Sequence, residues 1–230
     1  MNRTDILDAA AQVFRQKGFH GSSMADIASA VNLQKASLYH HVSSKQEILL
    51  ALLDRALEML TERIAPIASQ EIPADKKLRE MIRVYLKSLS ENSDLSSVLL
   101  FEHRSLDKKS HARHVPNRDK FEKLWRDVIE EGMRSKVFDC EDAGVAVRAL
   151  MGVMNWTLTW YHPDGPKSID QIADEDTNLF FKGLLVLPRK VEQSFPANSP
   201  SPFPSPKGRG DSLPHSGEGL GMRAKTVEKP

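Results

Sequence analysis

The stretch from Ser23 to Leu50, SMADIASAVNLQKASLYHHVSSKQEILL, constrains this chain more than any other part of it. Ser23 is followed three residues later by Asp26, the spacing at which a hydroxyl accepts a backbone N–H orphaned at a helix start, so a helix is expected from Met24. Ile27, Ala28 and Val31 then share one apolar helical face. Asn32 tolerates left-handed backbone and offers a corner with Leu33. The pattern resumes over residues 34–42, where Leu38 turns inward and Lys35, Ser37, Tyr39 and His41 are left to face outward. Two helices about a tight corner, the second with a polar outer face, are the layout of a helix-turn-helix, whose second helix lies in the DNA major groove.

The flanks support this layout. Asn2 and Asp5 are placed to cap a first helix with Ile6, Leu7, Ala10, Val13 and Phe14 on one face, ending at Gly18. Ser44 and Glu47 form a second capping box and start a long helix over residues 45–65, with Ile48, Leu49, Leu52, Leu53, Ala56 and Leu60 inward and a stop before Pro66. That helix would join a DNA-reading head to the rest of the chain.

Residues 3–50 resemble the DNA-binding region of the TetR family of bacterial transcriptional regulators. The matching residues are Ile6, Leu7, Ala10, Phe14, Gly18, Phe19, Ser23, Ile27, Ala28, Leu33, Ser37, Leu38, Tyr39, Lys45, Glu47 and Leu49. The run Leu38-Tyr39-His40-His41-Val42 with Lys45 behind it carries most of the likeness. Asn32 stands where the family usually has Gly, and Gln34 where it often has Ser. Asn replaces Gly at such a corner at modest cost; Gln34 either leaves the second helix uncapped or turns toward a base. The resemblance implies that Ser23, Tyr39, His41 and Lys45 meet phosphates, with His40 beside them, and that Gln34, Lys35, Ala36 and Ser37 lie at base edges. The chemistry suits those places: Lys donates to guanine O6 and N7, Gln pairs with adenine, and Ala touches a thymine methyl.

Composition sets the remaining bounds. At 230 residues the chain has room for two domains, and 40% hydrophobic with 27% charged residues describes an ordinary globular protein. A net charge of +1 provides no general attraction to polyanions, so DNA affinity must come from a local arrangement. The single Cys140 excludes an internal disulfide and a cysteine metal cluster, which fits a reducing cytoplasm. MNRTDILDAA carries acids too early for a signal peptide, and no run is long and uncharged enough to span a bilayer, so no membrane partner is expected.

Beyond Pro73, helical periodicity is expected over residues 75–90 and 95–106, then from Arg118, capped by Asn117, to Lys136, and again from Asp139; Ser168 with Gln171 caps the last helix. The fold class is therefore all-α: a helix-turn-helix head over residues 1–50, a helical ligand-binding and dimerisation body over 51–190, and a disordered Pro/Ser/Gly-rich tail over 191–230. The last two helices are apolar over more than one face, which predicts burial both in the core and against a second copy of the chain. Residues 107–117, with Lys108, Lys109, His111, Arg113 and His114, read first as a solvated loop and second as a cationic portal. His103, His111 and His114 match no familiar metal-ligand spacing, and neither a metal nor a cofactor is expected.

The stretch from Ala149 to Asp176 is similar to the branch of the family that responds to fatty acyl or other coenzyme A thioesters, through Asn155, Trp156, Trp160, Tyr161, Pro163, Asp164 and Gly165. Phe101, Trp125, Met151, Met154 and Trp156 are the candidates for an apolar tunnel, with Asn155 and Trp160 beside them. Arg104, Lys108, Arg113 and Arg118 are the candidates for phosphate contacts. Aromatic and Met residues at helical spacing serve equally as plain core. The function implied is a small-molecule-responsive transcriptional regulator, expected to repress, that binds a palindromic operator in double-stranded DNA as a homodimer. Its rivals are an acyl-thioester enzyme and a helical binding module without DNA. No nucleophile elbow, phosphate loop or paired carboxylates favour the enzyme.

Overall fold

The computed structural model describes residues 2–184, with the side chain of Leu184 excepted. Helices α1 (Arg3–Gly21), α2 (Met24–Ala30) and α3 (Lys35–Leu38) form a head that packs on the first half of α4 (Lys45–Ala68). Helices α5 (Ala74–Glu91), α7 (Lys108–Arg134), α8 (Ala143–Trp160) and α9 (Ile169–Leu184) form the body. Between them runs α6 (Ser93–Ser97), continued by a π-helical turn at Val98–Glu102 and a 3-10 turn at His103–Ser105. Among the described residues no β-strand forms, as the lack of period-two alternation predicts.

The caps explain the head. Asn2 and Asp5 make a reciprocal capping box at α1, and Ser23 and Asp26 make one at α2. Gly18, at φ 70 and ψ 161, breaks α1 so that Phe19 folds back against Phe14, ring centroids 5.4 Å apart. Asn32 takes φ 54 at the corner, which is why Asn serves there in place of Gly. The head core gathers Ile6, Ala10, Phe14, Ile27, Leu38, Ile48, Leu49, Leu52 and Leu53, each at most 1% exposed.

Helix α4 belongs to both cores. Ile48, Leu49, Leu52 and Leu53 complete the head, while Leu57, Leu60, Ile64 and Ile67 enter the body core beside Leu78, Trp125 and Leu150. Val98 crosses the other way, leaving its π-helical turn to seat fully buried in the head core.

Several boundaries differ from those expected. Helix α3 ends at Leu38, and residues to Val42 continue only as turns in which His41 and Val42 N–H donate to Leu38 O. Helix α4 runs through Pro66 to Ala68, because the carbonyl that Pro66 leaves unpaired, that of Glu62, lies on an exposed face in the last turns. Only half of the Ser44 box forms: Ser44 accepts from Glu47 N–H, while the Glu47 carboxylate accepts from Ser43 N–H and Oγ. The supposed loop 107–117 is the start of α7, capped by Asp107 rather than Asn117, and exposed Pro116 sits inside it for the same reason as Pro66. Segment 95–106 is not one helix but three short ones. Helix α8 is capped by Asp142 and not Asp139, since Phe138 is drawn into the core against Phe181 and holds the following residues in the connection. The box at Ser168 and Gln171 forms as expected. The tail lies outside the described residues.

The α7 to α8 connection supplies a test of packing. Phe138 ring atoms occupy the space in which a side chain at Gly132 would begin. Gly132→Ala should therefore destabilise the body by about 1–3 kcal/mol, read as a lower urea midpoint at unchanged m-value.

Candidate nucleic-acid interface and effector cavity

Leu38 is fully buried and anchors α3 on the head core, which fixes the other residues of its turn. Gln34, Lys35 and Ala36 stand exposed at the start of α3, and Ser37 is half-buried. Gln34 makes no capping hydrogen bond, so its amide is left for other use. Tyr39, His40 and His41 follow as an exposed run, with Tyr39 47% exposed despite its apolar ring. The expected base-edge set therefore lies together at the start of one short helix, with the expected phosphate set beside it.

Two of the phosphate candidates are also braces. Ser23 Oγ donates to Asp26 at 2.6 Å and accepts from its N–H at 3.2 Å. Hydrogen bonds from Lys17 and Ser23 hold the Asp26 carboxyl well below the usual carboxylate range, so the cap stays ionised and intact at neutral pH. Lys45 Nζ donates to Phe19 O at 2.6 Å and Ser22 O at 2.5 Å, and lies 4.3 Å from the Phe19 ring centroid. It adds a charged donor to carbonyls at the end of α1, of which Phe19 O also accepts from Ser22 N–H and Oγ, and ties that end to the start of α4. One residue further on, Gln46 donates to Ser105 O at 2.8 Å and accepts from Asp107 N–H at 3.0 Å, clamping the head end of α4 to the start of α7. Arg15 adds a second tie, to Ser93 Oγ and Asp94 Oδ1 of α6 at 2.9 and 2.6 Å.

The body holds a cavity of about 360 Å³ between α4, α5, α7, α8 and the π-helical turn. Leu57, Leu99, Leu100, Phe121, Val147 and Met151 make its apolar wall. Tyr85 and Asn155 lie in that wall joined by a 2.6 Å bond from the Tyr85 hydroxyl to Asn155 Oδ1; burial pushes the Tyr85 hydroxyl well above its ordinary pKa. His103, His111 and His114 line it as well, and burial, with Arg104 adding to it, lowers the pKa of His103 below that of an ordinary imidazole. Arg118, Glu122 and Arg148 belong both to this cavity and to an adjoining groove of about 690 Å³ that also presents Lys120, Lys123 and Arg126 together with Asp119, Asp127 and Glu130, with Arg118 paired to Asp119, Lys123 to Asp127 and Arg126 to Glu122.

Of the ligand candidates named from sequence, Met151, Asn155 and Arg118 line the cavity. Trp125 and Met154 are fully buried core, and Phe101, Arg104, Lys108, Arg113, Trp156 and Trp160 are exposed; none of these eight is brought to it. Helical period explains the split on α8: Arg148, Met151 and Asn155 share one face, Leu150 and Met154 point into the core, and Val145, Val153, Trp156 and Trp160 form an outward face. The three histidines, for which the sequence suggests no common site, line one cavity, because the segment that carries two of them is helix and not loop. Arg148 is absent from the sequence-based candidates, although its spacing of three and seven residues from Met151 and Asn155 is a readable signal.

Residues 6–52 match the family model described as bacterial regulatory proteins, tetR family, and residues 71–184 match the tetracyclin repressor-like C-terminal domain. The crystal structure of the regulator PfmR from Thermus thermophilus superposes with a TM-score of 0.71 at 30% identity, covering 77% of this chain and 97% of that one. The chain belongs to the TetR family. It is thus a transcriptional regulator that binds DNA through its helix-turn-helix, and not an enzyme. This TetR-family chain is also 24% identical to the HTH-type transcriptional repressor KstR2 of Rhodococcus jostii (strain RHA1), over 79% of its own length and 90% of that protein's. It shares its fold with AibR, solved in complex with isovaleryl coenzyme A and operator DNA, at a TM-score of 0.74 and 24% identity over 79% of this chain and 98% of the other. Among the described residues no helix is long and apolar enough to cross a membrane.

Substituting the two lysines tests the separate roles expected of them. Lys45→Ala should weaken binding to every duplex, lower the salt slope by about one, and lower the melting temperature as α1 is released from α4. Lys35→Ala should leave melting unchanged and shift base preference by about 1–3 kcal/mol at one position, read by anisotropy titration over a duplex panel.

Proposed function

We propose that this regulator is a cytoplasmic repressor that holds a palindromic operator as a homodimer and lets go when a fatty acyl-CoA or related coenzyme A thioester fills its body. Residues 1–50 read DNA, residues 51–190 bind the effector and the second copy, and α4 joins the two. One observation carries the effector class: an apolar cavity with Arg118 and Arg148 at its edge continues past them into a groove where five cations meet four carboxylates, and ligand phosphates would have to take Arg118 and Arg148 from their carboxylate partners Asp119 and Glu122. A coenzyme A thioester has the matching two-part chemistry, an apolar acyl group on a flexible arm that ends in phosphates. At about 360 Å³ the cavity lies at the small end of ligand pockets, roughly 300–1,000 Å³, which favours short acyl groups over long ones. That AibR accommodates isovaleryl coenzyme A and operator DNA in the same fold supports the reading.

The dimer reading rests on the outward apolar face. Trp156 is 67% exposed and Leu179 66%, with Val153 and Trp160 beside Trp156 on α8. Two such faces packed on each other bury what one subunit leaves in water, and an isologous contact of this kind places two heads for two half-sites.

Thermal shift with a panel of acyl-CoA species tests the effector class. A short-chain thioester at one hundred times its Kd should stabilise the chain by about 2.7 kcal/mol, with free coenzyme A and the free acid each much weaker. Equal shifts for free coenzyme A and every thioester would exclude the cavity as an acyl site.

A further inference from the structure

Where α4 passes from one core to the other it carries a carboxylate that touches the cavity through a neighbour. Asp54 follows Leu53, the last α4 residue of the head core, and precedes Leu57, the first of the body core. Its Oδ1 lies 3.2 Å from His114 Nδ1 and accepts from Asn117 Nδ2 at 3.0 Å. His114 is 4% exposed and lines the cavity, and among the described residues nothing hydrogen-bonds its Nε2. A carboxylate on Nδ1 directs that nitrogen's proton toward Asp54, which leaves Nε2 as the ring atom for a ligand to meet.

We propose that His114 reads a polar group on the occupant of the cavity and passes its presence to α4 through Asp54. The proposal rests on the reading of this cavity as the effector site. A ligand atom that hydrogen-bonds Nε2 polarises the ring and so alters the bond that the opposite nitrogen makes to Asp54, whose own side chain is 35% exposed. Asp54 stands about 15 Å along α4 from Ser44, at roughly 1.5 Å per residue, and the start of the helix is tied to the head by Lys45, on Phe19 O and Ser22 O, and by the shared core of Ile48, Leu49, Leu52 and Leu53. A shift at Asp54 therefore reaches the head as a whole. A second contact of the cavity with the head, through Leu99, Leu100 and Val98, is apolar and registers bulk. The His114 route registers chemistry, so it separates ligands of equal size that differ in a polar group.

Coupling of two sites is reciprocal, so operator binding must in turn disturb His114. The test uses the full chain, a duplex selected from a random pool, and isovaleryl-CoA as probe. Imidazole nitrogen resonances are followed by NMR, with His114 assigned from His114→Gln. The duplex should move the His114 resonances in the native chain and leave them nearly still in Asp54→Ala. In Asp54→Asn and Asp54→Ala, isovaleryl-CoA should still bind, but its effect on duplex affinity should fall by at least about tenfold, within the roughly 5–150-fold span of such couplings. Native His114 resonances that ignore the duplex, or undiminished coupling in both Asp54 variants, would overturn the relay while leaving the effector reading intact. If isovaleryl-CoA and the other thioesters fail to bind the native chain, the effector reading falls, and the duplex measurement alone decides the relay.

Discussion

The structure depends on one helix being buried in two places at once. Over its 24 residues α4 spans about 36 Å and fills the head core with its first half and the body core with its second. Burying a Leu or Ile side chain stabilises by roughly 1.5–3 kcal/mol, and α4 contributes several to each core, so neither end detaches without exposing a core. The polar ties at its start act differently. Lys45 and Gln46 hold direction, since each satisfies backbone groups that tolerate little displacement. A head fixed this way follows any movement of α4, with Val98 and the Arg15 tie to α6 as its other attachments.

This arrangement reconciles DNA binding with a net charge of +1. Affinity has to be assembled locally, and the head leaves Lys35, His40 and His41 exposed around a short α3 while Asp26 is engaged in a cap and an ion pair. Asp26 accepts from the α2 start and from Lys17, and Glu47 from Ser43 and Arg3. Carboxylates that would repel phosphates are thus occupied in holding the reading surface.

Much of the head is legible in the sequence because its signals are local. Capping boxes at Asn2 and Ser23, the break at Gly18 and the corner at Asn32 each depend on residues within a few positions of one another. The body is less legible. Pro66 and Pro116 suggest breaks, yet a proline whose unpaired carbonyl faces water leaves a helix intact. The same ambiguity makes the start of α7 look like a loop and hides the cavity that His103, His111 and His114 line together. On α8 the aromatic residues draw attention to the outward face, whereas the cavity face is marked by Arg148, Met151 and Asn155. Composition alone does not distinguish an aromatic that lines a cavity from one that waits for a second subunit.

A distance measurement between the two heads tests the coupling most directly. With Cys140→Ala and a spin label at exposed Ser29→Cys of α2, pulsed electron resonance reads one separation per dimer. Coupling through α4 requires a narrow distribution on operator DNA, where half-sites lie roughly 34–36 Å apart, and a displaced or broadened one once isovaleryl-CoA saturates the body. A thioester that binds while the head separation stays unchanged, or a labelled chain that gives no dimer distance at all, would contradict it.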